Sequence, residues 1–156
     1  MSSYVEESLL KNEKVLFQAQ MHWIVFLPTI IWLLMSLVLY FLGSEFRVFS
    51  AFFSIIMFAS FLSNYINYKT SEFALTNRRI ILKIGFIRRH TLELFLTRLE
   101  GMFVNQSIMG RLLNFGTLVV VGTGGTRDAF YKISDPLAFR RRVLEEVDAL
   151  ESPPQG

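Results

Sequence analysis

The chain has 156 residues, a net charge of +3, 52% hydrophobic residues, 16 phenylalanines and no cysteine. One domain's length of chain with that much apolar side chain points to lipid contact rather than to a small soluble domain. Without cysteine there is no disulfide framework, no thiolate chemistry and no cysteine zinc site; His22 and His90 alone do not make a metal centre, so neither metal nor cofactor is expected.

The leader, residues 1–22, is expected to begin with a helical turn over residues 4–10. In "KVLFQAQM", Val15, Phe17, Ala19 and Met21 alternate, which predicts a short strand at the edge of a sheet. Residues 23–42, "WIVFLPTIIWLLMSLVLYFL", carry no charge, and about 20 such residues in a helix cross a hydrocarbon core about 30 Å thick. A second uncharged run, "VFSAFFSIIMFASFLSNYINY", covers residues 48–68. The link Gly43-Ser44-Glu45-Phe46-Arg47 is so short that the two helices must be antiparallel neighbours. The first run is too long for a cleaved signal, and its leader holds Glu6, Glu7 and Glu13 beside Lys11 and Lys14. Pro28 is expected in the second turn of the first helix. Trp23, Tyr40, Tyr65 and Tyr68 stand near the ends of the runs, where interfacial aromatics belong, and Trp32 is expected to pack between the helices. Ser50, Ala51, Ser54, Ala59 and Ser63 form a small-residue face suited to close helix packing, within or between copies. Asn64 reads as a helix-end hydrogen bonder. Lysines and arginines favour the leader and the segment after residue 68 over the link, so the positive-inside rule places both termini in the cytoplasm and the link outside.

From residue 69 the texture changes. "SEFALTN", "RIILKIG", "IRRHTLELFL", "GMFVNQS", "GTLVVVG" and "AFYKIS" are short strand patterns at close spacing, which implies an antiparallel sandwich or barrel. Ser134-Asp135-Pro136 is a helix start, and Phe139, Val143, Val147 and Leu150, widened by Leu144, recur at helical spacing. Arg141–Glu145 and Arg142–Glu146 are spaced to pair, and Arg140-Arg141-Arg142 reads as a solvated face because its members point about 100° apart. "ESPPQG", residues 151–156, is a disordered tail by composition.

The segments "LTNRRI", "QSIMGRLLNFGTL" and "DPLAF" resemble the bacterial pleckstrin-homology (PH)-like domain membrane proteins of the YdbS/YdbT-like kind, and the likeness runs from about residue 9 to about residue 147. The resemblance implies a PH-like β-barrel or sandwich capped by a C-terminal helix and preceded by paired spans. The expected protein is thus an α+β membrane protein. It has a leader (1–22), a two-helix transmembrane hairpin (23–68) and a cytoplasmic PH-like domain (69–150). Its expected location is the bacterial inner membrane.

The glycines of "VVVGTGGTRDAF" lack both the lysine of a Walker loop and a following helix, so they read as a hairpin turn. His90 has no assignable nucleophile or carboxylate partner, and Glu93 and Glu100 read as separate surface or salt-bridged carboxylates, so no catalytic residues are expected. Basic residues are not interleaved with exposed aromatics and no reading motif is present, which speaks against nucleic acid. Residues 69–90 hold six cations and one acid, Glu72, a balance of +5 beside the second run. Lys69, Arg78, Arg79, Lys83, Arg88 and Arg89 are therefore the expected site for anionic lipid or for a partner, since anionic leaflets attract such residues by about 1 kcal/mol each. The same residues also suit a purely topological role. The expected partners are membrane lipids and either further copies of the chain or another membrane protein.

Overall fold

The computed structural model describes residues 4–85 and 90–151. They divide into two compact units, residues 23–69 and a second unit in which residues 4–22 join residues 70–85 and 90–151. In chain order, α1 (Tyr4–Ser8) and β1 (Val15–Ala19) are followed by the apolar helices α2 (Leu27–Leu42) and α3 (Arg47–Thr70). Then come β2 (Glu72–Thr76), β3 (Arg79–Ile84), β4 (His90–Phe95), β5 (Leu99–Asn105), α4 (Ile108–Leu112), β6 (Phe115–Gly122), β7 (Thr126–Ser134) and α5 (Pro136–Glu151).

In the apolar unit a 3₁₀ turn over Trp23–Phe26 precedes α2, and another over Ser44–Phe46 precedes α3. Pro28 therefore lies in the first turn of α2, not the second. Proline has no N–H to donate, so the α-helical ladder begins where that loss costs nothing. The turn adds about 8 Å to the about 24 Å of α2, so the stretch matches a hydrocarbon core about 30 Å thick. Both helices are long and apolar enough to cross a membrane. Their facing sides carry a polar seam. Ser36 Oγ lies 2.7 Å from Ser54 Oγ and donates to Ser50 O, and Ser50 Oγ donates to Ser36 O. Further along, Asn64 donates to Thr29 Oγ1 and Ser60 Oγ, and Trp32 stacks on Phe53 at 5.6 Å. Ser50 and Ser54 thus close the hairpin on itself, while Ala51, Ala59 and Ser63 remain exposed.

The other unit holds two antiparallel sheets, ordered β1-β2-β3-β4 and β5-β6-β7. The leader strand is the hairpin partner of β2, so the two apolar helices are an insertion in the β1–β2 connection. Past β1 the chain bridges the second sheet at Met21–Ile133, with His22 N donating to Lys132 O and Ser134 N to Gln20 O. No ladder joins β4 to β5 among the described residues, which form a two-sheet sandwich. Phe73, Leu75, Ile80 and Leu82 face Leu118, Phe130, Phe139 and Val143 in a fully buried core. Phe130 meets Phe73 edge-on, and Phe17 meets Phe139 of α5 at 6.0 Å.

A bulge alters the expected alternation in β1. Val15 pairs with Thr76 but Phe17 with Leu75, so the register shifts between them. One extra residue sends Val15 to the outer face and Phe17 to the core. On that outer face Val5, Ala74 and Ile81 form a second, small buried cluster under α1, with Tyr4 and Val15 packed against it. On α5 the buried stripe is Phe139 and Val143, with Val147 half-buried; Leu144 and Leu150 are exposed. On that helix Arg142 pairs with Glu145 at 3.3 Å, three residues on, and Arg140 Nε donates to Met102 O instead of standing free in solvent. At the β6–β7 turn Gly124 and Gly125 adopt φ of +93° and +79°, conformations that favour glycine, so the glycine-rich stretch is a hairpin bend.

Candidate functional site

The basic stretch after the second apolar helix does not stand open as a whole. Period-two alternation puts Arg79, Ile81 and Lys83 on the outer face of β3, the face that α1 covers. Arg79 is buried. Its Nε donates to Glu13 Oε1 at 3.0 Å, its Nη2 to Glu13 Oε2 at 3.1 Å and to Ser8 O, and its Nη1 to Glu93 Oε2 at 2.6 Å. All three guanidinium nitrogens are thus engaged inside the fold. Lys83 Nζ sits 4.3 Å from the centre of the Tyr4 ring, a cation–π contact. Arg78, in the β2–β3 turn, and Lys69, in the last turn of α3, are exposed. Arg88 and Arg89 lie outside the described residues.

What the stretch builds is a strap anchor. Glu72 accepts from the Tyr4 and Val5 amides, Tyr4 Oη donates to Glu93, and Thr76 Oγ1 donates to Glu13 at 2.7 Å. Burial of the Glu13 carboxyl acts to raise its pKa, but the Leu10 amide, Arg79 and Thr76 outweigh it and hold the pKa below the ordinary value of 4.5. His90 also has a carboxylate partner, Asp128 at 3.0 Å across the sandwich, and packs on Phe130. His90 is exposed and Asp128 half-buried, so the pair is of small energetic weight.

A second basic locus was not singled out by the charge pattern. A groove of about 700 Å³ lies between the ends of β5, β6 and β7 and the flank of α4, lined among others by Gln106, Ser107, Arg111, Phe115, Tyr131 and Lys132. Its lining holds two cations and no acid. Two backbone devices shape it. Gly116 pairs with Ile133 and Leu118 with Phe130, so Tyr131 and Lys132 together oppose Thr117 in a bulge, and Lys132 has a φ of +57°. Gly116 is required for its close approach to the end of β5, because a Cβ there would lie 2.9 Å from Asn105 O and 2.7 Å from Gln106 Cγ. The α4 turn is held by Ser107 Oγ accepting from Gly110 N and by Gln106 Nε2 donating to Phe115 O. His22 stacks on Phe115 at 5.2 Å. Burial lowers the His22 pKa below 6.5, against a smaller opposing contribution from the Leu113 carbonyl. The available sequence signal was Ser107 ahead of an apolar run, a helix cap; Gly110 in the middle of that turn masked it.

A sandwich of four and three strands with a C-terminal helix against its core is the architecture of the PH class. The chain belongs to the bacterial PH domain family, whose pattern it matches over residues 19–147, the inserted helices included. PH-like domains are lipid- or protein-interaction modules, generally without catalytic activity. Comparisons with curated proteins and with solved structures each gave no match.

Proposed function

We propose that the chain is a membrane-anchored PH-like interaction module. A two-span hairpin holds it in a bacterial inner membrane, and the sandwich lies on the cytoplasmic side, where it assembles with further copies or with another membrane protein in maintaining the envelope or its tolerance of stress. It catalyses no reaction. One observation carries this reading: two apolar helices of spanning length interrupt the hairpin between β1 and β2 of the binding domain. A domain so interrupted is tethered through both strands of one hairpin. The lysine and arginine asymmetry about the hairpin supports the cytoplasmic orientation.

The other reading, anionic headgroup binding by the first basic stretch, rests on its local charge of +5. The engagement of Arg79 with Glu13 and Glu93 and of Lys83 with Tyr4 weighs against it. Crosslinking of the full chain in native membranes, followed by identification of the neighbours, tests the assembly reading. Reproducible adducts support it; a chain that remains monomeric with no reproducible neighbour contradicts it.

A further inference from the structure

We propose that α4 and the adjoining groove dock on an anionic bilayer surface, with the apolar tip of α4 entering the lipid and Arg111 and Lys132 meeting headgroup phosphates; this rests on the membrane-anchored reading above. Ile108 is 87% exposed, Leu112 77% and Met109 57%, on a single short helix. Tyr131, 62% exposed, stands on the bulge across the groove. Side chains this apolar on one projecting turn mark an interaction surface.

Charge selects the occupant. Arg111 and Lys132 are both exposed and line the groove from opposite walls, one on α4 and one on β7, and no acid shares the lining. Asp135, which follows β7, directs its carboxylate to the Ala138 amide at the start of α5. An apolar wedge flanked by unopposed cations matches an acyl layer beneath anionic headgroups. The bulge at Tyr131 and Lys132 also has a purpose on this account: it turns two consecutive side chains toward the groove where a regular strand would alternate them.

The chain has no cysteine, so single labels can be introduced without removing native ones. Full-length Ile108→Cys, Thr123→Cys and Leu37→Cys proteins, each carrying an environment-sensitive fluorophore, are reconstituted into vesicles of phosphatidylcholine alone or of phosphatidylcholine with phosphatidylglycerol. Quenching by brominated acyl chains is then read. The label at residue 108 is expected to be quenched in the anionic vesicles and much less in the neutral ones, the label at 123 in neither and the label at 37 in both. Arg111→Gln with Lys132→Gln is expected to weaken docking about 30-fold, the factor that follows from about 1 kcal/mol per cation beside an anionic surface. Quenching at 37 without quenching at 108 overturns the docking while leaving the anchor intact. No quenching at 37 overturns both. Equal quenching at 108 in neutral and anionic vesicles, or contact between labels on two copies in place of quenching, overturns the assignment to anionic lipid.

Discussion

Replacement of Arg79 by glutamine is expected to destabilise the sandwich without acting first on lipid binding. The Glu13 carboxylate has a side chain with no exposed surface and accepts four hydrogen bonds: from Leu10 N at 2.8 Å, Thr76 Oγ1 at 2.7 Å, and Arg79 Nε and Nη2 at 3.0 and 3.1 Å. The substitution removes two of these and the cation that balances the buried charge. Breaking a buried ion pair from one side costs about 3–5 kcal/mol. The two surviving hydrogen bonds place the loss at the lower end, about 3 kcal/mol. Glu93, one-third exposed, adds little, since water replaces its partner. The assay is denaturant unfolding of the full chain in detergent micelles for Arg79→Gln, Glu13→Gln and the double variant. The double variant is expected to be less destabilised than the two single losses added together, because it leaves no buried charge unpaired, with a coupling of about 1–3 kcal/mol. A loss below about 1 kcal/mol for Arg79→Gln, or strict additivity, would refute the strap-anchor reasoning.

Stability is expected to fall in acid in two stages. His22 binds its proton more weakly in the folded chain than its ordinary value of 6.5 allows, so below that pH the unfolded chain takes up a proton that the folded chain refuses, and stability declines. Glu13 has a folded pKa below 4.5, so its contribution is complete above that pH and is lost as the pH falls through the folded value. Unfolding measured across a pH series shows both stages, and His22→Leu removes the first. Gly110→Ala would set a Cβ 2.6 Å from Phe115 O and is expected to cost about 1–3 kcal/mol by overcrowding; thermal melts check this, and an unchanged melting temperature contradicts it. Ser36→Ala removes the hydroxyl that joins Ser50 and Ser54 and is expected to cost about 0.6 kcal/mol of helix-pair stability, read by unfolding in bicelles.

Much of the architecture can be read from local patterns because it is locally determined. Alternating strands, the Gly124-Gly125 bend and the Pro136 helix start each depend on residues within a few positions of one another. What stayed hidden depends on distance. Arg79 is paired with Glu13, 66 residues earlier and on the far side of both apolar helices, so a charge count over residues 69–90 registers a basic patch where the fold makes a buried knot. The bulge between Val15 and Phe17 is likewise set by pairing with β2, and alternation alone gives both residues the same face. The groove combines α4, the β6 start and the β7 bulge, and its two cations are 21 positions apart in sequence, too far for any window of charge to join them. Sequence placed the functional charge upstream of β4; the exposed, unopposed cations of the groove lie after β5.

The proposed double crossing of a membrane by the β1–β2 connection is checked by labelling Ser44→Cys, in the link between the helices, and Thr123→Cys, at the β6–β7 turn, with a membrane-impermeant maleimide in right-side-out membrane vesicles. Two crossings with a cytoplasmic sandwich predict labelling at residue 44 in sealed vesicles and at residue 123 only after permeabilisation. Labelling at both positions in sealed vesicles, or recovery of the chain in the soluble fraction, would contradict it.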